Sequence, residues 1–114
     1  MRKLKLHINE KDYTLEFDRE SIRWLEATGF SFEEFEKKPI TFREYLWNSL
    51  FVKNHKDVNP SLALKLMDSY AEEKGNKMVN KVINFAVEEY TAFINALADT
   101  DSEKKEEELE IIEQ

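Results

Sequence analysis

The chain of 114 residues has no cysteine and only two glycines and two prolines. Without cysteine there is neither a disulfide scaffold nor a thiolate metal site, which suits a reducing compartment. No Gly- or Pro-rich linker and no internal repeat divides the chain, and its length suits one domain with a real core. No apolar run approaches the roughly 20 residues of a membrane span. The start, MRKLKLHINE, alternates polar and apolar residues and so lacks the apolar stretch of a signal peptide. These absences predict a soluble, cytoplasmic protein. Basic charge is also not concentrated anywhere, so direct nucleic-acid binding is not expected.

The net charge of −7 is unevenly distributed. Residues 99–114 hold eight acids and two bases, so this tail carries −6 and residues 1–98 carry −1. The expected organisation is a globular domain over 1–98 and an acidic tail over 99–114, either a solvated helix or disordered. The tail admits three readings: a solubilising end, an electrostatic contact for a basic partner, or a mimic of DNA phosphates. Mimics carry charge over the folded body, and this body is nearly neutral.

Leu4, Leu6 and Ile8 alternate with Lys3, Lys5 and His7, and Tyr13, Leu15 and Phe17 alternate with Thr14 and Glu16. Both runs have the period of a half-buried strand. Asn9 to Asp12 forms the expected hairpin loop. An isolated hairpin is marginal in water, so its apolar face must lie on helices. Asp18 is placed to cap the next helix and Gly29 to end it. Ser31 and Glu34 have capping-box spacing before a short helix, and Thr41 and Glu44 repeat it after Pro39. Asn59 and Pro60 open a helix running to Gly75, with a stripe of Leu62, Ala63, Leu66, Met67 and Tyr70. The longest helix spans Lys77 to about Ala98. Its face is Val79, Val82, Ile83, Ala86, Tyr90, Phe93, Ile94 and Leu97, with Phe85 and Val87 beside it. The expected fold is α+β, mainly α: an N-terminal β-hairpin packed on a small bundle of four to five helices.

The stretch TFREYLWNSLFVKNH, residues 41–55, reads as one helix whose apolar residues leave a single face. Phe42, Leu46 and Leu50 line one side, while Trp47 and Phe51 share a second flank. That flank is covered either by the protein's own core or by a partner, since an ordinary surface helix has one stripe. Trp47, Phe51 and Phe85 are the candidate partner-binding residues, because exposed aromatics often dominate binding energy.

Catalytic chemistry is scarcely represented. His7 is expected on the outer face of the hairpin and His55 near a helix C-terminus. Neither belongs to a set of three or four zinc ligands. Glu33/Glu34, Glu72/Glu73 and Glu88/Glu89 are adjacent residues, which diverge on a helix. There is no P-loop, dinucleotide turn or nucleophile elbow. Asp99, Asp101, Glu103 and Glu110 have the spacing of a calcium loop, but Lys104 stands where the turn glycine is needed. No enzyme activity, cofactor or metal is expected.

The series INEKDYTLEFD (Ile8 to Asp18), EATGFSFEEF (Glu26 to Phe35), a short aromatic helix, NPSLALKLMD (Asn59 to Asp68) and a long last helix resembles the tail assembly chaperones of long-tailed bacteriophages and prophages of Gram-positive hosts. The resemblance covers roughly residues 6–97. It rests on the order of segments rather than on an invariant motif. It implies a non-enzymatic chaperone in the host cytoplasm that binds the tape measure protein, keeps it soluble while the tail tube assembles, and is absent from the virion. It also implies that this is the short product of a −1 frameshift pair, whose longer form recruits tail tube protein. The hairpin's unpaired outer strand offers a contact for self-association as a homo-oligomer. The competing reading is a small acidic inhibitor or DNA mimic acting on a host nucleic-acid protein. A hydrolase using Glu pairs is a further reading, which nothing in the spacing requires.

The resemblance predicts a slippery run, A AAA AAG, in the codons for Glu103-Lys104-Lys105, although Glu36-Lys37-Lys38 allows the same bases. Sequencing the encoding DNA downstream of codon 99 is expected to show an overlapping −1 frame and then a very long frame with helical apolar repeats. A gene set among unrelated metabolic or regulatory frames would favour the acidic inhibitor instead.

Overall fold

The computed structural model describes residues 2–98. The acidic tail and the calcium-like spacing within it lie outside the described residues. The fold is α+β, mainly α: a two-stranded antiparallel hairpin, β1 (Lys3–Ile8) and β2 (Lys11–Glu16), then five helices. These are α1 (Arg19–Ala27), α2 (Phe32–Lys37), α3 (Pro39–Ser49), α4 (Pro60–Lys74) and α5 (Asn76–Leu97).

The hairpin is tighter than its polar residues suggest. Lys11 pairs with Ile8 and Asp12 with His7, which leaves Asn9 and Glu10 alone in the turn. Both have positive φ, 51° and 64°, the geometry of the two-residue turn that matches strand twist. Leu6, Ile8, Tyr13 and Leu15 face the core, as the period of two requires. His7 points outward, its Nδ1 2.6 Å from an Asp12 carboxylate oxygen.

Local capping explains most helix boundaries. The Asp18 carboxylate accepts from the Ser21 N–H while the Ser21 hydroxyl accepts from the Asp18 N–H, a reciprocal box at the start of α1. At its end Gly29 has φ +88°. The Gly29 N–H reaches the Glu26 carbonyl and the Phe30 N–H the Leu25 carbonyl, a paired closure that needs a left-handed residue. Ser31 accepts from the Glu34 N–H to cap α2, and Asn59 accepts from the Leu62 N–H to cap α4.

Helix α3 departs from expectation at both ends. It begins at Pro39, whose missing N–H and fixed φ suit the first helical position. Thr41 therefore lies inside the helix and does not cap it. The helix ends at Ser49, and residues 50–54 form turns. The Ser49 hydroxyl bonds back to the Leu46 carbonyl at 2.6 Å, and such local bonds compete with helix continuation.

Packing accounts for the two apolar flanks of this stretch. Helix α3 contacts α1, α2, α4 and α5, so it is covered almost all round, the condition under which a helix needs apolar residues on several faces. Trp47 and Phe51 are both fully buried. Trp47 packs near Phe51 and Tyr70, with ring centroids 5.6 and 5.9 Å away. Its indole N–H donates to the Ala63 carbonyl at 2.8 Å.

Residues 50–55 then fold over the outer edge of β2. The Glu16 N–H donates to the Leu50 carbonyl, the Thr14 N–H to His55 Nε2, and the Asn54 amide to the Thr14 carbonyl. This clasp buries Glu16 on what would otherwise be the solvent face. Its carboxylate accepts from Asn54 and from Lys53, each at 3.0 Å. Those two bonds hold the Glu16 carboxyl below its ordinary value of 4.5.

Two outcomes follow. Trp47→Ala is expected to cost about 3–5 kcal/mol of stability, measured by chemical denaturation, because it empties a core site and removes the indole's bond to the Ala63 carbonyl. A loss under about 1 kcal/mol would mean that Trp47 is not a core anchor. Glu16 has a depressed folded pKa, so its stabilisation is complete above 4.5 and is lost as pH falls below that value through the folded pKa. Glu20, held low by Lys56, acts in the same window. The readout is therefore the difference between wild type and Glu16→Gln, which is expected to shrink as pH falls through that window.

Candidate functional surface

The structure corrects the expected partner-binding set. Trp47 and Phe51 are brought together, but in the core, where α3, α4 and the clasp cover them. Phe85 is also buried, at 9% exposed. The Arg2 guanidinium lies over its ring, 5.0 Å from the centroid. None of the three presents a surface to a partner, because the small body uses each large aromatic to exclude water from its own interior.

The open apolar surface lies farther along α5. Its first half is buried through Val79, Val82, Ile83, Phe85 and Ala86. Tyr90 then closes one end of the core edge-on, with its ring centroid within 6 Å of those of Phe17, Phe30 and Phe32. Burial pushes the Tyr90 hydroxyl pKa up. Beyond Tyr90 the same helical face continues without full cover among the described residues. Phe93 is half-buried, while Ile94 is 38% and Leu97 69% exposed. The sequence puts Ile94 and Leu97 on one continuous face with Val79, Val82, Ile83 and Ala86. The helical period is right, but the body ends before the helix does.

Phe17, Phe93, Ala92 and Ala96 line a shallow groove of about 320 Å³ beside this face, with Phe93 shared between the two. Ala92 and Ala96 are four residues apart, so they sit on one side of α5. Their small side chains allow another helix to approach closely, since interaxial distance depends on the side chains at the contact. Arg2 and Glu89 form the polar wall. The Arg2 Nε donates to Glu89 at 2.8 Å and a terminal nitrogen to Glu88 at 3.0 Å, which raises the Arg2 pKa. Adjacent glutamates diverge on a helix, yet one guanidinium spans this pair. Within the groove's own lining the charges of Arg2 and Glu89 balance, and the groove selects for apolar contact rather than for one sign of charge.

A second concavity of about 250 Å³ lies between α3 and α4, with Tyr45, Trp47, Asn48, Leu64 and Met67 in its lining. Asn48 is only 3% exposed, and its Oδ1 has no partner among the described residues. No group of three His, Cys, Asp or Glu among the described residues is arranged to hold a metal ion. No helix among them is long and apolar enough to cross a membrane.

Asn48→Leu is expected to raise stability by about 1 kcal/mol, because an unpaired buried polar atom costs about 1–3 kcal/mol. Denaturation midpoints check this, and a loss of stability would instead place an ordered water on Oδ1.

Residues 1–111 match the model of a family described as Domain of unknown function (DUF5055). No curated protein and no solved structure matches the chain.

Proposed function

We propose that this chain, which belongs to the DUF5055 family, is a non-enzymatic tail assembly chaperone of long-tailed phages or prophages, a reading that rests on the order of its segments and on the apolar face of α5. On this reading it holds amphipathic helices of the tape measure protein against α5 until the tail tube forms around them. The reading is supported by the resemblance of the ordered segments between residues 6 and 97. The observation that carries it is the continuation of the α5 apolar face past the core through Phe93, Ile94 and Leu97. A tape measure chain exposes apolar helical stripes before assembly, and a groove beside an apolar helix is the complementary surface. Burying Ile94 and Leu97 under such a helix contributes up to about 1.5–3 kcal/mol each.

The host cytoplasm as the place of action, exclusion from the virion and recruitment of tail tube protein by a longer product belong to the same proposal.

The test pairs the chain with a synthetic amphipathic helix from the long frame downstream. Ile94→Asp/Leu97→Asp is expected to keep the wild-type melting temperature within a few degrees, since both residues lie outside the packed core. It is expected to weaken peptide binding at least tenfold in titration calorimetry. Undiminished binding by a folded double variant would move the site off the Ile94 and Leu97 face. No binding by the wild type to any helix of that product would overturn the chaperone reading.

A further inference from the structure

The two edges of the hairpin are treated differently. The β2 edge is closed by the clasp of residues 50–55. Because Thr14 and Glu16 direct their N–H groups outward to that clasp, their pairs with Lys5 and Lys3 are the non-hydrogen-bonded pairs of the ladder. The same holds for His7 opposite Asp12, given the two-residue turn that makes Ile8 and Lys11 the closing pair. Lys3, Lys5 and His7 therefore direct their own N–H and C=O groups away from β2. None of these backbone groups has a hydrogen-bond partner among the described residues.

The side chains on this edge specify what can join it. Lys5 is exposed and makes no ion pair among the described residues. Lys3 is 64% exposed and stands 3.9 Å from Glu16. That carboxylate is already bonded to Lys53 and Asn54. His7 is occupied by Asp12. On the opposite face of the strand, Leu4 is half-buried at the margin of the core. A second copy pairing antiparallel about Lys5 would place Lys5 against Lys5 and Lys3 against His7. Like charges directly opposite destabilise a ladder, and lysines on an edge guard against self-pairing.

We propose that the β1 edge is a docking site for an extended acidic segment of a protein partner, with acids at alternate positions and an apolar residue between them. The partner adds a third strand by bonding to the outward groups of Lys3, Lys5 and His7. Its acids meet Lys3 and Lys5, and its apolar residue extends the core margin at Leu4. Main-chain bonds supply affinity and the alternating side chains supply selectivity. This surface is distinct from the α5 groove and goes beyond the chaperone reading.

The probe is the capped peptide Glu-Val-Glu-Val-Glu added to the full chain, with amide hydrogen exchange read residue by residue. Exchange at Lys3, Lys5 and His7 is expected to slow at least tenfold at saturation, and the effect to fall with added salt. Lys-Val-Lys-Val-Lys is expected to give no slowing. Lys5→Glu, and more mildly Lys5→Gln, is expected to weaken the acidic peptide at least fivefold without changing the fold. No slowing, or equal slowing by both peptides, would overturn the proposal. So would slow exchange in the free protein: if concentration-dependent it would assign the edge to a second copy, and if not, to another part of this chain.

Discussion

Trp47 donates a buried hydrogen bond to the Ala63 carbonyl, and the arrangement of the helices depends on it. An indole is large enough to anchor a small core, but its N–H must find an acceptor once water is excluded. The acceptor comes from the first turns of α4, and the small side chain of Ala63 lets the two helices approach. With that contact made, α3 is enclosed by four other helices and Phe51 is carried against Tyr13 of the hairpin, 5.6 Å between centroids. Residues that look like two competing faces of a surface helix become the several contacts of a central one.

The same enclosure determines where apolar surface remains. Aromatic side chains from the α1–α2 junction, α3 and α5 meet around Phe30 and Tyr90, and this cluster ends the body's own core. Helix α5 has two further turns after Tyr90 and nothing among the described residues to cover them. The parts of Ile94 and Leu97 that remain wet add nothing to the body's stability. Their retention of helical spacing is consistent with a surface that is covered by another molecule during use.

Much of the fold was legible in the sequence because its signals were local. The alternation of Leu4, Leu6 and Ile8, the cap at Asp18, the positive-φ glycine at Gly29 and the Asn59-Pro60 pair all act within a few residues. The bounds of helix α3 were not legible. The Thr41/Glu44 spacing is a valid cap pattern, but Pro39 already occupies the first turn and Ser49 already ends the helix. Burial of Glu16 was hidden for another reason: its cover comes from Lys53 and Asn54, far along the chain. The candidate surface failed in the same way. Aromatic content pointed to Trp47, Phe51 and Phe85, whereas exposure depends on where the neighbouring helices stop. The one local hint was the pair Ala92 and Ala96, small residues flanking an apolar row where a core helix would carry larger ones.

The clasp over β2 also bears on the order in which the molecule forms. Its bond between Thr14 and His55 joins residues 41 apart, and a bare hairpin is marginal by itself. During synthesis the strands emerge before α3 and remain without their edge cover until the turn after α3 has been made. Contacts of long sequence separation close late, because loop-closure entropy comes before their reward. The hairpin is thus translated before its edge cover and is among the last segments to become permanent. The nascent chain completes its strands from a segment made later.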